Sequence, residues 1–106
     1  MNKLTITILT SKERITEAEK IFLDLVNKKE TQEDWECISH RVFVKNRLIN
    51  RVYVFQNMKT GEVHTLELFD SSFQSIQGQT FDNVICLDDR LTEEVKKRTL
   101  RYFIVL

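Results

Sequence analysis

Apolar and polar side chains alternate from Lys3 to Thr10, with Leu4, Ile6 and Ile8 on one parity, the pattern of a strand with one buried face. Beyond it the period lengthens. Ile15, Ala18, Ile21, Phe22, Leu25 and Val26 recur at spacings of three and four, and Lys12, Glu13, Glu17, Lys20, Asp24 and Lys28 fill the other side. This predicts an amphipathic helix from about Ser11 to Lys29 lying on a sheet. Thr10 and Glu13 have the spacing of a capping box at its start. Glu30 to Glu36 carries four carboxylates and no base, and reads as a solvated connection.

Trp35 to Lys45 and Ile49 to Asn57 are rich in β-branched and aromatic residues and predict two strands joined around Asn46 and Arg47. Asn57-Met58-Lys59-Thr60-Gly61-Glu62 predicts a hairpin in which Gly61 supplies the left-handed residue, and Val63 to Phe69 is the returning strand. Asp70 to Thr80 is a polar loop. Phe81 to Leu87 contains an unbroken apolar run and predicts a central strand covered on both faces. Thr92 is placed to cap a short helix, with Glu93 and Glu94 in its first turn and Lys96, Lys97 and Arg98 in its last. Arg101 to Leu106 predicts an apolar terminal strand. These elements make residues 1–106 a single α+β domain. Its expected form is a mostly antiparallel sheet with one long N-terminal helix packed on a face and a short C-terminal helix.

Composition narrows the function classes. Sixteen Lys+Arg balance 16 Asp+Glu, so there is no global attraction to nucleic acid or to anionic membrane, and any electrostatic partner must be read from local charge. No apolar stretch approaches the ~18 residues that span a bilayer, so no membrane partner is expected. Cys37 and Cys86 sit among strand-like apolar residues and read as buried thiols of a reducing, cytoplasmic compartment, not as a disulfide. Gly61 and Gly78 are the only glycines, which excludes a P-loop, a dinucleotide fingerprint and a nucleophile elbow. No enzyme activity and no cofactor are expected.

The largest local charge imbalance is Arg41, Lys45, Arg47 and Arg51, with no acid among them. All are at odd positions, so one unbroken strand would send them to the same face as Phe43 and Tyr53. Bases interleaved with aromatics suit a nucleic-acid backbone and its stacked bases. A solvated face, or an edge strand guarded by cations, accounts for the same residues. For a metal, Cys37, His40, His64 and Cys86 are the available soft ligands besides methionine. Their spacing argues against a site, since residues three apart on a strand point to opposite faces. The same residues give Cys37 no located base for nucleophilic catalysis. Asp88 and Asp89 follow a strand as magnesium-binding carboxylates do, and equally lead into the Thr92 helix.

The segment Ser72-Phe73-Gln74-Ser75-Ile76-Gln77-Gly78-Gln79-Thr80-Phe81-Asp82-Asn83-Val84-Ile85 resembles the fifth conserved motif of superfamily-one helicases, including UvrD- and RecD-like enzymes and viral replicative helicases. The resemblance implies that Ser72 contacts a nucleic-acid backbone, that Gln77 and Gly78 form a turn near nucleotide, and that Thr80 stands where many members place an acid near the ribose. Gln74 takes the place of the usual histidine. Arg101 to Leu106 is similar to the strand leading into the sixth motif. The family's lysine loop and magnesium acid belong to a first motor domain for which this chain has no room, so the resemblance implies no ATP hydrolysis by this chain alone.

Two functions follow as expectations. The first is a small non-catalytic module that binds single-stranded nucleic acid through Arg41, Phe43, Lys45, Arg47, Arg51 and Tyr53 and through Ser72, Gln77, Gly78 and Thr80. The second is a phage or mobile-element protein-interaction module that inhibits a host nucleic-acid enzyme, its acidic Glu30 to Glu36 run meeting a basic partner. The terminal strand suits either a homodimer contact, if it lies at an edge, or a buried central position.

Overall fold

In the computed structural model, which describes residues 3–45, 48–70, 78–90 and 92–106, strand β1 (Lys3–Thr10) lies inside a six-stranded sheet. Strands β2 (Trp35–Lys45), β3 (Leu48–Asn57), β4 (Val63–Asp70), β5 (Asn83–Leu87) and β6 (Phe103–Val105) complete it, in the spatial order β2-β3-β4-β1-β5-β6. Antiparallel pairing runs through β2, β3 and β4, whose connections are short. The pairs β4-β1, β1-β5 and β5-β6 are parallel. Parallel neighbours need crossovers, and the chain supplies three. One is helix α1 (Ile15–Thr31) with the β2-β3 hairpin, one is the segment between β4 and β5, and one is the short helix α2 (Thr92–Lys97). The α+β class, the element order and the two helices are as expected.

Both faces of the interior strands are covered. Ile8 of β1 joins Phe22 and Val26 of α1, Phe55 of β3, Leu66 and Leu68 of β4, and Leu87 of β5 in the cluster beneath α1. On the opposite face Leu9, Val84, Cys86 and Phe81 pack with Val95 of α2. Phe22, Phe55, Leu9, Leu87 and Val95 are all 0% exposed, each removal from water contributing roughly 1.5–3 kcal/mol. Strand β5 is therefore an interior strand sandwiched between two clusters, as its unbroken apolar run predicts. The Thr10–Glu13 capping box does not form. Thr10 is still in the β1 ladder, paired with Asp70 and Leu87, and its hydroxyl donates to the Ser11 carbonyl at 2.9 Å. A short 3-10 turn, Lys12–Arg14, leads into α1 without a side-chain cap. The Thr92 hydroxyl likewise donates to the Asp88 carbonyl, at 3.1 Å, from the first residue of α2.

The β3-β4 turn follows its sequence. Gly61 has φ +77° and donates to the Asn57 carbonyl at 2.8 Å, and the Asn57 side chain accepts from the amides of Lys59 and Thr60. Two expectations need correction or resolution. Both cysteines are free, but only Cys86 is buried. Cys37 is exposed because β2 is an edge strand, and the register slips between Cys37 and Ser39 around an extra residue, Ile38. The terminal strand β6 is the other edge, with Ile104 and Val105 about half exposed. Among the described residues no helix is long and apolar enough to cross a membrane.

Candidate functional site

The β2-β3 hairpin is the most basic stretch of the chain. From Cys37 to Gly61 there is no acid and there are five Lys or Arg residues. Its outer end projects. The β3-β4 ladder extends only to Arg51 opposite Leu68, whereas β2 and β3 go on pairing through Phe43 with Asn50 and Val44 with Ile49 to Lys45 with Leu48. The result is a two-stranded ribbon beyond the sheet, residues 43–45 against 48–50, in which Phe43 and Val44 are exposed; Arg41 and Val42, also exposed, lie at its base, where β3 is still paired with β4.

The ribbon does not carry the expected single-faced stripe. Arg41 pairs with Val52 and Phe43 with Asn50, so the odd positions of β2 share a face with the even positions of β3. Arg51 and Tyr53 are on the other face, towards α1. There the Arg51 guanidinium lies 3.4 Å from the Glu19 carboxylate. Tyr53 stacks on His40 at 3.9 Å between ring centroids and tilts against Phe22 at 5.3 Å. Arg51 and Tyr53 thus belong to the helix-packing face, and Arg41 and Phe43 remain as the exposed base and aromatic of the ribbon. The Lys45 side chain and Arg47 lie outside the described residues.

Of the helicase-like segment, Ser72 and Gln77 also lie outside the described residues. Gly78 is exposed with φ +75°, and Thr80 is exposed. The Gln79 carbonyl accepts from the Arg98 guanidinium at 3.4 Å, and Phe81 bridges to Thr99, so this part of the segment enters β5 alongside the end of α2. Strands β3, β4 and β1 separate β2 from β5, a ladder distance of ~19 Å. Gly78 and Thr80, the described residues of the helicase-like turn, thus enter β5 on the far side of the sheet from β2.

Asp88 is 2% exposed and holds the turn into α2. Its carboxylate accepts from the Arg90 amide at 3.0 Å and from the Arg90 guanidinium at 3.2 and 3.3 Å. The Ile38 bulge places Cys37 and His40 on the same face, opposite Phe55 and Tyr53, which overturns the spacing argument that set them on opposite faces. Among the described residues no group of three or more His, Cys, Asp and Glu could hold a metal ion.

One polar cluster was not anticipated. The Lys29 ammonium donates to His64 Nδ1 at 2.9 Å, and His64 Nε2 lies 3.0 Å from Glu62 Oε1. With Nδ1 accepting, Nε2 carries the proton and donates to the carboxylate. Lys29 also sits 4.1 Å over the Trp35 ring, which packs against His64 at 4.5 Å. Burial pulls the Lys29 amine below the ordinary lysine value; Glu62 opposes that pull and Lys28 adds to it. The two-residue spacing of Glu62 and His64 at the start of a strand was a usable signal for this pair. Nothing local points to Lys29. Beside His64, on the α1 face, an open apolar groove of about 350 Å³ runs along Ile6, Ile85 and Ile104. No protein-family model, curated protein or solved structure matches the chain.

Proposed function

We propose that this protein is a small, non-catalytic nucleic-acid-binding module that makes contact through the projecting β2-β3 ribbon. One observation carries the reading. The acid-free hairpin extends beyond the sheet, Arg41 at its base and Phe43 within it are exposed on the same face of β2, and the sequence adds Lys45 at the end of β2 and Arg47 between β2 and β3. Such a ribbon offers cations to phosphates and an aromatic ring to an unstacked base, the two contacts that bind single strands without sequence preference. Gly78 and Thr80 form a separate surface, which joins the same contact only if the strand crosses the sheet.

Fluorescence anisotropy of labelled single-stranded and duplex DNA and RNA, at two salt concentrations, tests the reading. Binding is expected to weaken steeply with salt, with a log–log slope of about −0.7 per phosphate neutralised on a single strand. Arg41→Glu/Arg47→Glu should reduce both affinity and slope, and Thr80→Glu reports separately on the helicase-like turn. Salt-insensitive binding, or equal binding by the double variant, would remove the ribbon from the account.

A second reading rests on the two sheet edges. Strands β2 and β6 both expose apolar residues, Val42 and Val44 on one and Ile104 and Val105 on the other. Edges of this kind pair with a further strand, from a host protein to be inhibited or from a second copy joined through β6. Light scattering behind size exclusion over a concentration series tests the second copy. A monomer at every concentration excludes the homodimer.

A further inference from the structure

We propose that the groove beside His64 is a binding site for a small amphipathic carboxylate, with the apolar body along Ile6, Ile85 and Ile104 and the anionic head at Arg101. This inference is independent of the ribbon. The groove follows from the topology. Helix α1 packs chiefly on β1, β2 and β4. Ile85 and Ile104 are partners in the β5-β6 ladder, and Ile85 shares a face with Ile8, which lies under α1. Leu87 of β5 is buried in the cluster beneath α1, but at Ile85 and Ile104 that face of the sheet is left open beside Ile6.

Size and charge select the ligand. A volume of about 350 Å³ falls within the range of small-molecule sites and matches a body of only a few carbon atoms' width lying along the strands. Among the described residues that line it, the one formal charge is Arg101, and none is acidic. The Arg101 amide donates to the Asp82 carbonyl at 2.9 Å, which fixes the backbone of this lining residue. A smaller cavity of about 160 Å³ meets the groove at Ile6 and adds Lys28 and Lys29, again without a carboxylate. Arg101 is thus the cation on the apolar groove itself, with Lys28 and Lys29 on the smaller cavity, and a lone guanidinium beside an apolar floor favours an anion over a neutral or cationic head group. Glu62, bonded to the His64 imidazole, lines neither cavity.

Methyl-labelled isoleucine NMR tests the proposal, with octanoate, 1-octanol and octylamine as probes, each below its micelle concentration. Octanoate should shift the methyls of Ile6, Ile85 and Ile104 and bind about fivefold tighter than octanol, a difference of about 1 kcal/mol. Octylamine should bind more weakly than octanol. Arg101→Gln alters an exposed side chain and should bring octanoate to the level of octanol while leaving octanol unchanged. Ile104→Ser should weaken both. Thermal melts of both variants keep folding in view. Equal binding of the three head groups, shifts confined to other methyls, or retention of the octanoate preference in Arg101→Gln would overturn the proposal. So would methyl shifts that track protein concentration alone, because the occupant would then be a second copy.

Discussion

Strands β2 and β5 are built from similar residues, and the sheet treats them in opposite ways. Val84, Cys86 and Leu87 of β5 are 1%, 0% and 0% exposed, whereas Val42, Phe43 and Val44 of β2 are 57%, 40% and 69% exposed. Strand β5 has β1 and β6 on its two sides and side-chain clusters on both faces. Strand β2 has one neighbour and continues past the end of the sheet. Propensity decides that both segments are strands; position decides which is core and which is surface. The interior strands, β3 with Phe55 included, carry the core, and the edge strand β2 is free to carry charge and contact.

The largest test of that contrast is a pair of truncations. Leu9→Ala, beneath α2 at 0% exposure, should cost about 2–5 kcal/mol in chemical denaturation, through lost transfer energy and the cavity left behind. Val44→Ala on the ribbon should change stability by less than about 0.5 kcal/mol. Similar losses at the two positions would break the division.

The turn between β3 and β4, at the other end of β3 from the ribbon, should depend on local backbone geometry. A Cβ added at Gly61 meets nothing within 4 Å, so the cost of Gly61→Ala is the left-handed backbone alone, about 1–2 kcal/mol. Asn57-to-Glu62 register would persist, readable as an unchanged pattern of cross-strand nuclear Overhauser effects between β3 and β4. A loss well beyond this range would mean that the turn has a packing role which the open space around Gly61 does not suggest.

The two cysteines place the same contrast on a chemical scale. Ellman's reagent should modify exposed Cys37 in the native protein and Cys86 only on unfolding. Burial raises the Cys86 thiol above its ordinary value of 9.0. From pH 9 upward the unfolded chain loses that proton while the fold keeps it, so stability is full below pH 9 and falls by up to about 1.4 kcal/mol per pH unit above it. Lys29 acts in the other direction. Its amine is held below the ordinary 10.5, so the unfolded chain holds more protons and stability recovers as pH rises towards that value. Cys86→Ala should remove the thiol's downward slope and leave the lysine's upward one. An unchanged profile would remove Cys86 from the alkaline limb.

The elements were legible because each rests on local chemistry. Strand β1 was read at its observed bounds from the alternation ending at Ile8, and the β3-β4 turn from Asn57 and Gly61. What failed depends on how elements meet. The odd-numbered stripe assumed one continuous strand, but β2 and β3 pair antiparallel from Lys45 opposite Leu48, and in that ladder odd positions face even ones. The Ile38 bulge shifted Cys37 relative to His40, which no periodicity shows. Strand direction is also silent in the alternation, so the parallel pairing of β1 with β4 and β5 emerges only from the crossovers. Lys29 meets His64 because the end of α1 comes over β4, a juxtaposition 35 residues apart.

The smallest effect on stability is the sharpest test of the corrected faces. Arg41 and Arg51 stood as equivalent members of one stripe, and the register puts them on opposite sides of the hairpin. Arg51 faces α1. Its ion pair with Glu19 joins side chains 34% and 40% exposed, and its Nε is buried with no partner among the described residues. A half-exposed pair of this kind contributes little, and the unpaired Nε offsets part of it, so Arg51→Gln should shift stability by no more than about 0.5 kcal/mol. Nucleic-acid affinity should stay as it was. Arg41→Gln should do the reverse, with an unchanged melting temperature and a salt slope smaller by about one phosphate contact. If the two substitutions weaken binding equally, the nucleic acid reaches both faces and the ribbon inserts rather than lies flat. If neither does, the contact is elsewhere on the molecule.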